Sequence, residues 1–114
     1  MTLLEPAAIK RVVFVHGRND RDGGWFATTT GQPRVQVMTA ASGNWETVGN
    51  LPDYPATSAT DAGTLKSGAR FECTLPAPLT VIAVRVVGVP ASGENPHQAF
   101  ATCAELEAYQ DGSN

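Results

Sequence analysis

Residues 70–87 read RFECTLPAPLTVIAVRVV, and the way this stretch is divided decides the fold. Its first third alternates. Phe71, Cys73 and Leu75 fall on one side of an extended chain, and Arg70, Glu72 and Thr74 on the other. That is the pattern of a strand over 70–75 with one face buried. Pro76 and Pro78 fix φ and cannot donate to a ladder, so 76–78 predicts a sharp turn. Residues 81–87 (VIAVRVV) are almost continuously apolar and β-branched, as in a central strand covered on both faces.

The neighbouring segments extend the same pattern. Residues 9–16 (IKRVVFVH) are β-branched and aromatic, end at Gly17, and read as a strand. Residues 34–39 (RVQVMT) place Val35 and Val37 on one face and Arg34, Gln36 and Met38 on the other. The turn 40–44 (AASGN) leads into a returning strand from Trp45 to Val48, so the pair reads as a hairpin. Between these runs lie three long loops, 17–33, 49–68 and 88–96, rich in Gly, Pro, Asp, Asn and Thr. Unstructured loops of such length are uncommon and often functional. The last segment, 99–109 (AFATCAELEAY), is ambiguous. Its Ala, Glu and Leu content favours helix, and Phe100, Cys103, Leu106 and Tyr109 recur every third residue. Alternation with Ala104, Leu106 and Ala108 inward works as well. Local evidence leans helical.

The totals narrow the function. A length of 114 residues makes one ordinary domain, 1–114. Eleven Gly and eight Pro favour short elements and many turns, hence an all-β chain. The net charge of −3, with scattered basic residues, argues against a nucleic-acid partner. No run is long and apolar enough to span a bilayer, and the N-terminus lacks the pattern of a signal peptide. Cys73 and Cys103 are too far apart in sequence for a metal pair, and disulfide and free thiols both stay open.

The run VRVVGVPASGENPHQAFATCAELEAY resembles the end of discoidin (coagulation factor 5/8 type C) domains, which close on a strand of the form Ala-Glu-Leu-Glu-x-Tyr. PRVQVMTAASGNWETVGNLPDYPAT resembles the central hairpin of the same family. The resemblance runs from about Ile9 to Tyr109. It implies an antiparallel β-sandwich, a galactose-binding-like jelly roll of about six strands, with 103–109 extended rather than helical. It also implies a non-catalytic carbohydrate-binding module, extracellular or periplasmic as part of a larger chain. Family members carry a further N-terminal stretch with a calcium loop, and only eight residues precede Ile9 here. Calcium therefore stays open, with Glu105 at the position of a family carboxylate. An exposed sheet edge could pair with a second copy in a homodimer.

If consecutive strands alternate in direction, all three long loops share one end, a usual way to build a recognition site. Sugar hydroxyls want planar, multidentate polar groups, and a sugar ring's C–H face wants an aromatic. The polar candidates are His16, Arg18, Asp20, Asp22, Asn95 and His97; the platform candidates are Trp25, Tyr54 and Phe100. Each has a plainer role. Trp25 and Phe26 are adjacent, so one belongs to the core. His16 could cap a strand, and Asp20 and Asp22 could hold a turn. Arg85 reads as snorkelling or ion-paired, with Glu105 as a candidate partner, and Trp45 as core.

NDRDGG fails as an EF-hand, because Arg18 and Thr29 would stand at the essential first and twelfth positions, and only a looser calcium loop through Asp20, Asp22 and backbone carbonyls stays open. No nucleophile elbow, phosphate loop, HExxH or CxxC occurs, so no enzyme is expected. Two further readings compete with sugar binding: a protein- or membrane-binding discoidin domain, and a structural accessory domain. The polar loops disfavour the membrane.

Overall fold

A computed structural model describes residues 2–19, 23–94 and 101–110. The described chain is all-β, with seven strands: β1 Thr2–His16, β2 Phe26–Ala27, β3 Arg34–Thr39, β4 Trp45–Asn50, β5 Arg70–Val87, β6 Val89–Pro90 and β7 Cys103–Tyr109. Five form one antiparallel sheet in the order β4-β3-β5-β1-β7, and β2 and β6 form a separate two-stranded pair. In the large sheet β4 and β7 are the edges, where the expected homodimer would have to pair.

The proline segment is not a turn between two strands. Residues 70–87 form one strand of 18 residues. At about 3.3 Å per residue a straight strand of this length would span roughly 55–60 Å, yet the longest dimension of the molecule is 41 Å. The strand therefore bends, and the register shows where. Between the pairs Ile9–Leu79 and Arg11–Thr74, β1 advances two residues while β5 advances five. The surplus residues of β5 include Pro76 and Pro78. A bulge is where proline's missing N–H costs no ladder bond, and it bends the strand that carries it. β1 runs past the same corner and begins at Thr2 rather than Ile9, with its own irregularity between Thr2 and Ala7 that accommodates Pro6.

The corner divides the sheet into two halves around one core. Val12, Phe14, Phe71 and Cys73 come from one half, and Val35, Val37, Val81 and Val84 from the other. The alternation read in 34–39 and 70–75 is present: Val35 and Val37 are fully buried, as are Phe71, Cys73 and Leu75 nearly so. Strand β7 is extended despite its helical composition, because it completes the ladder of β1 from Arg11–Tyr109 to His16–Cys103.

Bending reproduces the consequence expected of a turn. The strand ends His16, Arg70 and Cys103 are neighbours on one half, and Arg34, Asn50 and Val87 on the other. Each long loop crosses between the halves, so the three meet opposite the corner. Backbone hydrogen bonds join them there: Ala91 N–H to Trp25 O at 2.9 Å, Gly93 N–H to Ala59 O at 2.7 Å, Thr28 N–H to Thr57 O at 3.2 Å and Thr102 N–H to Gly24 O at 2.9 Å.

Candidate functional site

Three of the expected ligand residues lie inside the molecule. Trp25 is 4% exposed and its indole N–H donates to Ser58 O at 2.8 Å. Tyr54 is 2% exposed, and its hydroxyl accepts the Phe26 N–H at 2.9 Å. Phe26 is buried as well, so neither member of the Trp25-Phe26 pair faces solvent. The reason is that the loops form a layer over the sheet. Phe26 sits against Phe14 and Tyr54 below, and Tyr54 against Phe71, while the 49–68 loop covers Trp25. Gly88 belongs to the same packing: a Cβ there would stand 2.7 Å from the Phe26 ring. These aromatics fasten the loop end, and Trp25 and Tyr54 are too deeply buried to serve as ring platforms for a sugar.

His16 is fully buried and joins two loops. Its backbone N–H donates to Ala69 O and its carbonyl accepts from Gly68 N–H. The ring Nε2 lies 2.8 Å from Asn19 Oδ1, and Asn19 Nδ2 donates to Leu65 O. With Asn19 oriented in this way, Nε2 carries the proton, and Nδ1 is buried without a partner. A second proton on Nδ1 would be a buried donor with nowhere to go. Burial accordingly pushes the His16 pKa below 6.5, against the opposing hydrogen bond to Asn19. The unfolded chain then takes up a proton before the native one does. Stability is full above the unfolded value, falls as pH drops from there to the lowered native value, and levels off below it. The urea midpoint is expected to fall between about pH 7.5 and about pH 5, and the fall to shrink in His16→Gln. An undiminished fall in the variant would assign it to other groups.

The remaining expected residues divide as follows. Arg18 is exposed, with its backbone N–H bound to Thr102 Oγ1 at 2.8 Å. Asp20, Asp22, Asn95, His97 and Phe100 lie outside the described residues. Glu105 is exposed on β7 beside Glu107. Hydrogen bonds from the Tyr109 hydroxyl, then from Arg70 and Glu105, hold Glu107 at about 2, and its hydrogen bond to Glu105 raises the latter. Among the described residues no three His, Cys, Asp or Glu converge to hold a metal. Arg85 does not pair with Glu105: its Nε donates to Gln36 Oε1 at 2.8 Å and its guanidinium lies 4.1 Å above the Trp45 ring. Trp45 is thus a half-buried residue of the outer sheet face, not core. Cys73 and Cys103 are free thiols, the first buried and the second exposed.

Hollows at the loop end include two that border β3 or β5. One, of about 220 Å³, is largely apolar and runs between Phe14, Phe26, Val86 and Leu106. The other is a polar depression of about 330 Å³ lined by Thr30, Gly31, Gln32, Arg34, Asn50, Gly88 and Val89. Arg34 and Asn50 are directly paired across β3 and β4, so they stand side by side at its rim. Among the described residues neither side chain has a hydrogen-bond or ion-pair partner. Gln32 spends its amide N–H groups on Tyr54 O at 3.0 Å and Pro52 O at 3.5 Å, and its Oε1 accepts nothing. Val89, 51% exposed, is the one exposed large hydrophobic among the described residues.

Sequence reasoning missed this group. It read Arg34 as an ordinary outward strand residue and Asn50 as loop. Their position at strand ends beside Pro33 and Leu51 was the available signal. Their lack of partners is a tertiary property. No protein-family model, curated protein or solved structure matches this chain.

Proposed function

We propose that this protein is a non-catalytic carbohydrate-binding module of the galactose-binding-like sandwich type, with its site in the depression between Arg34, Asn50 and Val89. The observation that carries this reading is the Arg34–Asn50 pair, without side-chain partners among the described residues, on a loop end that internal hydrogen bonds tie together. The Arg34 guanidinium and the Asn50 carboxamide offer planar, multidentate partners to sugar hydroxyls. Val89 supplies a small apolar surface for ring C–H groups. The described lining residues pair no nucleophile with a base, and their chemistry suits binding. The resemblance to discoidin domains points the same way, although the residues that serve differ from those it would nominate.

A glycan array tests the reading. At least one mono- or oligosaccharide should bind, and Asn50→Ala should weaken it about fivefold to twentyfold, the cost of one or two hydrogen bonds. Asn50 is exposed and its side chain has no partner among the described residues, so the variant should melt as the parent does. An array without hits, or a hit indifferent to Asn50→Ala, removes the basis for this site.

A further inference from the structure

We propose that the ligand is an acidic carbohydrate, a glycan bearing uronate carboxylates, and that Arg34 and Arg85 receive them. This rests on the sugar-binding reading and extends it from the depression onto the adjoining sheet face. Because Val35, Val37 and Val84 point into the core, Arg34, Gln36 and Arg85 point out. Gln36 pairs directly with Arg85, and Arg34 with Val87 two residues further along β5. The two arginines are therefore diagonal neighbours on one face, with backbones roughly 7–8 Å apart.

Arg85 is held in place. Its Nε–H donates to Gln36 Oε1, Gln36 Nε2 in turn donates to Thr47 Oγ1 at 3.1 Å, and the Trp45 ring lies beneath the guanidinium. This fixes the fork while its two terminal nitrogens bond to no described residue. A planar guanidinium with both terminal nitrogens free matches the two oxygens of a carboxylate. Two other arginines pair with the chain's own acids: Arg11 with Glu72 at 3.0 Å and Arg70 with Glu107 at 2.7 Å. Arg34 and Arg85 have no such partner among the described residues, although acids outnumber bases eleven to eight. The result is a local positive field on an otherwise acidic protein, which suits a ligand carrying a few spaced carboxylates. Arg34 borders both the depression and this face, so one sugar chain can engage both.

The test compares tetragalacturonate with the same tetramer after its carboxylates are reduced to alcohols, by calorimetry and by the fluorescence of Trp45. The acidic tetramer should bind at least about tenfold more tightly at low salt, and lose this advantage as salt rises. Arg34→Gln and Arg85→Gln should each weaken it about tenfold. Arg34 has no side-chain partner to lose among the described residues, so its variant keeps the fold whatever Arg85→Gln does through Trp45. Equal binding of the two tetramers, array hits confined to neutral glycans, or tetragalacturonate binding unchanged in the double variant would each overturn this inference and leave the sugar reading standing. If no glycan binds, neutral or acidic, both fail.

Discussion

Trp25→Ala is expected to cost about 3–5 kcal/mol of unfolding free energy, a large share of what a domain of this size possesses. The sequence nominates Trp25 as a surface platform, and a platform can be removed without harm to the fold. Here the indole is 4% exposed, and it links the first loop to the second through Ser58 O. Its backbone carbonyl accepts from Ala91 N–H, which ties in the third. Truncation empties the side-chain volume under the 49–68 loop and strips Ser58 O of its donor. Urea unfolding reads the cost as a lower midpoint at constant slope. Trp25→Phe should recover most of the packing and none of the hydrogen bond. Loss of glycan binding in Trp25→Ala would then report a loosened loop end, not a lost contact. A Trp25→Ala protein with the parental midpoint would return this residue to the surface and restore it as a platform candidate.

Much of the fold is legible because β-strands with one buried face write their burial into alternation. Residues 34–39 carry Val35 and Val37 inward and keep their predicted bounds in β3. Residues 70–87 are harder. Two prolines in three residues look like a turn, and only the pairing with β1 shows a continuous strand bent at a bulge. The loop end comes out the same either way, since a corner and a turn both reverse the direction of travel. For 103–109 local propensity pointed to helix, and the determining fact is a ladder with residues 11–16, some ninety positions away. The site is less legible for a physical reason. Aromatics in Gly- and Pro-rich loops look exposed when nothing local shows what covers them, and Trp25, Phe26 and Tyr54 are covered by one another's loops. Arg34 and Asn50 stand out by lacking partners, which is a property of their neighbours.

Tyr54 allows a finer dissection of the same loop layer. Its ring centroid lies 5.0 Å from that of Phe71 and 6.1 Å from that of Phe26, and its hydroxyl takes the Phe26 N–H. Tyr54→Phe keeps the ring contacts but leaves that N–H buried without an acceptor, an expected cost of about 1–3 kcal/mol. Tyr54→Ala also removes the ring from a packed site, and about 3–5 kcal/mol is expected. Both Trp25 and Tyr54 hold the short strand that begins at Phe26, so their truncations should not add. The Trp25→Ala, Tyr54→Ala double variant should lose less than the summed single losses, by about 0.5–3 kcal/mol. The function separates too. Gln32 reaches the backbone carbonyl of Tyr54, not its side chain, so Tyr54→Phe should bind a glycan hit with the parental affinity well below its melting temperature. Reduced affinity in a fully folded Tyr54→Phe protein would mean that the phenolic hydroxyl meets the ligand, and the interior placement of Tyr54 could not then describe the binding-competent state.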